Sequence, residues 1–202
     1  MKFRLLVTAF ATLVLAGCTM TDNATDTKSR SKENRMNMQE AADHADGILD
    51  ATLKAIKPPV KWGRSASRSA GCTDFKNDGT GKGDVKQSRY VLTKISAERR
   101  GSFMGVVERH WKRSGYKITS VRDSKDMPAI FASTPDGYAL ALKIGYKGQA
   151  FLDVTSPCVN EAKVSDPPMD TLDPDDPASK GLPYLHSDFW SATTPAPRKG
   201  SD

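Results

Sequence analysis

The sequence predicts an α+β protein: a single antiparallel sheet of about five strands with two helices packed on one face, flanked by a disordered tether and tail. Three observations carry that expectation. Apolar residues between Met36 and Ile56 recur at the i, i+3, i+4 spacing of an amphipathic helix. Residues 138–146 alternate Tyr138, Leu140, Leu142, Ile144 and Tyr146 with Ala139, Ala141, Lys143 and Gly145, the period of a strand with one face in a core. Thr134-Pro135-Asp136-Gly137 and Lys147-Gly148 are turn chemistry, which folds 129–156 into successive hairpins.

The elements follow in order. The first helix sets Met38, Ala41, Ala42, Ala45, Ile48, Leu49, Thr52, Leu53 and Ile56 on one stripe, and Pro58-Pro59 stops it. Val60 to Lys86 holds Trp62, a Ser/Arg stretch, Cys72 and the glycine-rich run 76–84, which reads as a mobile surface loop. A phosphate-loop reading of that run fails, because Lys82 is followed by Gly83 and Asp84 where a Ser or Thr and a helix start are required. Tyr90, Val91, Leu92, Thr93 and Ile95 favour a strand over 88–96. Phe103, Val106, Val107, His110 and Trp111 return to helical spacing, with Gly115 as the residue that ends the second helix. Four strands are then expected near 117–123, 129–134, 138–146 and 149–156. Residues 36–160, about 125 in all, suffice for one core.

The N-terminus has its own logic. Met1-Lys2-Phe3-Arg4 is a short basic start, Leu5–Leu15 an apolar run, and Leu15-Ala16-Gly17-Cys18 a close of small residues before a thiol. That is the layout of an export signal. The apolar run falls short of the roughly 20 residues a membrane-spanning helix needs, so residues 1–17 are expected to be removed. Leu15-Ala16-Gly17-Cys18 resembles a lipobox, the motif of the bacterial lipoprotein class. The resemblance implies cleavage before Cys18, a diacylglyceryl group on its sulfur, and a soluble remainder held on the outer face of the cell membrane. More diffusely, the lipobox, the polar tether 18–35 and Arg99-Arg100-Gly101 leading into Phe103–Tyr116 resemble small lipoproteins of actinobacteria. That wider likeness implies no activity.

Lipidation of Cys18 leaves two of the three cysteines, Cys72 and Cys158, in a compartment where disulfides persist. They are expected to pair; two buried free thiols are the alternative. Neither has a second cysteine or histidine at ligand spacing, so no metal and no cofactor is expected. Loss of Lys2 and Arg4 leaves 28 basic against 24 acidic side chains, a net charge of +4. With so mild an excess, export argues against nucleic acid as a partner. Anionic lipid headgroups, a wall polymer or an envelope protein fit better. The face of the second helix that carries Arg109, Lys112 and Arg113, with Arg99 and Arg100 ahead of it, reads either as a solvated surface or as a site for an anionic partner.

Residues 161–181 turn acidic and proline-rich, a composition that cannot build a core. They lack the Asp-x-Asp/Asn-x-Asp/Asn-Gly pattern of a calcium loop. The segment 182–202 then gathers Leu182, Tyr184, Leu185, Phe189 and Trp190. Such a cluster either docks on the domain or serves as a partner-binding peptide.

For catalysis the chain offers little. Its three histidines, His44, His110 and His186, stand in no nucleophile–base pattern, and Glu98 and Glu108 have arginine neighbours that make surface ion pairs the simpler reading. No catalytic residue is assigned. The expected function is an envelope binding or scaffold module, working through the open sheet face, the basic helix or the aromatic tail. An enzyme with an unrecognised site is the alternative.

Overall fold

The computed structural model describes residues 36–166 and 182–194. The export signal, the tether with Cys18 and most of the acidic linker lie outside the described residues.

Helix α1 spans Met38–Ala55. It opens on a reciprocal cap: the Asn37 side chain accepts from the Glu40 backbone N–H at 3.0 Å, and the Glu40 carboxylate accepts from the Asn37 N–H at 2.9 Å. Its buried stripe is the one the spacing predicts, from Met38 to Leu53. Helix α2 spans Ala97–Arg113, starting six residues before the expected Phe103. Between and after the helices lie eight strands: β1 Trp62–Arg64, β2 Arg68–Thr73, β3 Gly79–Val91, β4 Lys117–Arg122, β5 Ala129–Ser133, β6 Ala139–Ile144, β7 Ala150–Thr155 and β8 Val159–Asn160.

All the described strands join one sheet, in the order β1-β3-β7-β6-β5-β4, with β2 and β8 also paired to β3. Every pairing between strands is antiparallel. The α+β architecture is therefore as expected, with three strands more than the sequence indicates. The additions are β8, at 159–160, and β1 and β2, in the stretch 62–84. β2 and β3 form a hairpin there, so the run read as a mobile loop is mostly strand. Its composition hides this, because glycine, serine and lysine are poor strand formers. What selects glycine is close packing: a Cβ on Gly83 would stand 2.6 Å from the Met38 sulfur and 2.9 Å from the Ala70 carbonyl oxygen. The Cys72–Cys158 disulfide fastens β2 to the residue before β8.

Both helices lie on one face of the sheet. Strand parity decides which side chains meet them: Val91, Leu152, Leu142 and Ile130 are buried there with Ile48, Leu49, Phe103, Val107 and Trp111. Burying each such side chain is worth about 1.5–3 kcal/mol. The Trp111 indole N–H donates to the Thr52 hydroxyl at 3.0 Å, and that hydroxyl donates to the Ile48 carbonyl at 2.8 Å, so these two polar groups are matched inside the core. The tail completes the core. Trp190 is fully buried, edge-on to Phe103 with ring centres 5.2 Å apart, and its indole N–H donates to the Pro58 carbonyl at 2.7 Å.

Candidate functional site

The opposite face of the sheet carries no helix among the described residues. Its side chains follow from register. Ser88 on β3 faces Asp153 on β7, which faces Ala141 on β6. Lys86 is two residues from Ser88 on one flanking strand, and Lys143 two residues from Ala141 on the other. Both therefore reach Asp153 diagonally, a distance long side chains span. The Lys143 and Lys86 ammoniums stand 2.6 and 3.1 Å from Asp153 Oδ2, and the Ser88 hydroxyl donates to Oδ1 at 2.7 Å.

These groups line a cleft of about 370 Å³, together with Phe151 on β7, Arg68 on β2 and Arg122 on β4. That volume is within the range of small-ligand sites, roughly 300–1,000 Å³. Asp153 is its one carboxylate among the described residues, set against four cations. Burial pushes the Asp153 carboxyl up, but hydrogen bonds from Lys143, Ser88 and Lys86 outweigh it and hold the group below the ordinary carboxylate value. It stays charged and keeps both lysines in place. The cleft thus has a rigid, salt-bridged floor and an excess of positive charge.

The expected basic face of α2 is not assembled as the sequence implied. Arg99 and Arg100 lie inside the first turns of the helix and are buried. Arg100 donates to the carbonyls of Asp126 at 2.9 Å and Tyr146 at 2.8 Å, pinning two loops. The Arg99 guanidinium stacks 4.7 Å over the Phe189 ring. Arg109, Lys112 and Arg113 are exposed, with Lys112 paired to Glu108 at 2.6 Å. In the tail, Phe189 and Tyr184 are half-buried and Trp190 is core. Cys18 lies outside the described residues. The pairing of Cys72 with Cys158 is present.

The histidines are apart. His44 stands 3.2 Å from Asp136, His186 3.6 Å from Asp188, and His110 is held below its ordinary value by burial and by Arg113. Among the described residues no three His, Cys, Asp or Glu side chains are grouped to hold a metal ion, and no helix is long and apolar enough to cross a membrane.

No protein-family model matches the chain, and no curated protein matches it. Two solved structures are similar. A DUF4853 family protein from Actinomyces odontolyticus ATCC 17982 aligns over 75% of this chain and 79% of its own, at 14% identity and a TM-score of 0.39. The candidate lipoprotein LppA from Mycobacterium tuberculosis aligns over 74% and 92%, at 18% identity and 0.38. Neither score is high enough to assign this chain to a family or to transfer a function.

Proposed function

We propose that this protein is a lipid-anchored envelope binding module, fixed through Cys18 on the outer face of the cell membrane, whose ligand site is the cationic cleft on the open sheet face. The lipobox-like Leu15-Ala16-Gly17-Cys18 supports the anchor. Two acyl chains give stable attachment where one is marginal. The observation that carries the binding reading is a cleft lined by four cations on strands, with one carboxylate among the described residues, which is salt-bridged to two of them. Strands hold the backbone of such a site in place, so only the exposed side chains are ordered at binding. On α2, by contrast, Lys112 is already neutralised by Glu108 and the two leading arginines are committed to the interior.

Titration of the full chain, purified in neutral detergent, with inorganic phosphate and followed by NMR tests the site. Shifts are expected at Lys86, Ser88, Lys143 and Asp153, shrinking as salt is added. Shifts gathered instead on Arg109, Lys112 and Arg113 would move the site to α2, and shifts at neither place would remove the anion reading. For the anchor, Cys18→Ser is expected to leave precursor or released protein on fractionation; mature-sized protein still fixed in the membrane would refute it.

A further inference from the structure

The cations of the cleft are not gathered around one point. Arg122 and Lys143 stand in one cross-strand row, through Ala129 on the strand between them. Lys86 and Arg68 face each other on β3 and β2 in a different row. From Arg122 to Arg68 the line crosses β4, β5, β6, β7, β3 and β2, on the order of 24 Å along the sheet at roughly 4.8 Å per strand. The two central lysines already share Asp153, whereas the exposed arginines at the ends face no carboxylate in the cleft lining. The excess charge therefore lies at the two ends. Between strand axes that span is wider than the roughly 8 Å over which one charge acts at physiological salt, so an anion with charges repeated along its length suits the two ends better than a compact one.

We infer that the ligand is a linear polyanion laid across the strands, one end of the bound stretch against Arg122 and the other against Arg68. This rests on the reading of the cleft as an anion site. A chain whose charges repeat along an extended backbone meets both arginines at once, and each contact after the first is intramolecular. The half-buried Phe151, beside Lys143 on the floor, gives the uncharged backbone between charges an apolar surface. A bilayer surface fits less well, because the Lys86 and Lys143 side chains are only 32% and 39% exposed, recessed where a flat sheet of headgroups does not reach.

The experiment uses the full chain in neutral detergent with inorganic phosphate and linear polyphosphates of increasing length. A variant, Arg68→Ala with Arg122→Ala, removes the exposed side chains at the two ends of the cleft, one of which also donates to the Met127 carbonyl, and leaves the Asp153 salt bridges in place; its thermal midpoint beside that of wild type is the control. Affinity, counted per phosphate group, is expected to rise at least about tenfold with chain length and to level off once the chain spans the cleft. In the variant every probe is expected to bind more weakly, the long chains losing most, so that the dependence on length flattens. Equal affinity per phosphate at every length would overturn the polyanion and leave the anion site standing. No binding of phosphate or polymer would overturn both. Capture by vesicles of phosphatidylglycerol in phosphatidylcholine that long polyphosphate does not displace would also overturn it, and identify the lipid surface as the ligand.

Discussion

Asp153 is the residue on which the cleft depends, and its charge state gives a direct measurement. Its folded pKa lies below the ordinary 3.8, so the carboxylate contributes stability that is fully present above the unfolded value. That contribution is lost as pH falls through the folded one. Asp153→Asn removes three charge-assisted hydrogen bonds and should cost about 1–3 kcal/mol at neutral pH, toward the low end because both lysines are partly exposed. The gap between wild type and variant, read from thermal melts between pH 7 and the acid limit, should close as pH falls below about 4. A gap constant throughout would mean the carboxylate is not tied to the lysines. Part of this was legible in the sequence. Reading Ala150, Leu152 and Val154 inward leaves Asp153 outward, and the 138–146 alternation leaves Lys143 outward. Which cations meet that carboxylate is a property of register between strands far apart in sequence, and Lys86 stood at the end of a stretch read as loop and irregular chain.

At the scale of elements, α1 is clipped to the sheet by charge as well as by its apolar stripe. Arg89 sits on the helix-facing side of β3 with no exposed surface, 2.7 Å from Asp46 and 3.5 Å from Asp50 of α1, and Arg64 of β1 reaches the same Asp46. Trp62 stacks on it at 5.2 Å. Removing one partner of a buried pair strands the other charge, so Asp46→Ala should cost about 3–5 kcal/mol, whereas Arg89→Met should cost less, because Asp46 keeps Arg64 as a partner and Asp50 is half exposed. Chemical denaturation of the two variants checks the contrast; equal losses would show that Arg89 is solvated. The apolar periodicity of α1 and the alternation of β6 made those elements readable, because each is a local pattern with one buried face. β1 and β2 have no such pattern: β2, Arg68–Thr73, is largely exposed and is strand only because β3 pairs with it. The early start of α2 was hidden the same way, since Arg99 and Arg100 read as surface charges until the loops and Phe189 that surround them are in place.

Across the whole molecule, the segment beyond the acidic linker is structural. The Tyr184 and Leu185 N–H groups donate to the Leu92 carbonyl, and the Lys94 N–H donates to the Leu185 carbonyl, extending the pairing past the end of β3. The Ser96 N–H donates to the Trp190 carbonyl at 3.0 Å, which fixes the residue that caps α2. Trp190 then fills the space between Phe103, Phe189 and Pro58. The sequence offered two fates for this aromatic cluster, docking or recruitment of a partner, and could not choose because composition alone does not say which core has a gap. Magnitudes explain why docking prevails. Truncating a buried Trp costs about 3–5 kcal/mol, while closing the connection from 166 to 182 costs a few kcal/mol that grow only slowly with its length. Trp190→Ala should therefore lower the thermal midpoint by roughly 6–20 °C. Tyr184→Ala, at a half-buried position, should do much less. Ending the chain after Gly181 should match or exceed the Trp190 effect and raise binding of an apolar dye, since Phe103 loses its cover. If truncation instead leaves the midpoint and amide exchange near Leu92 and Lys94 unchanged, the tail contributes nothing to the fold, and Phe189 and Trp190 become the residues on which to search for a protein partner.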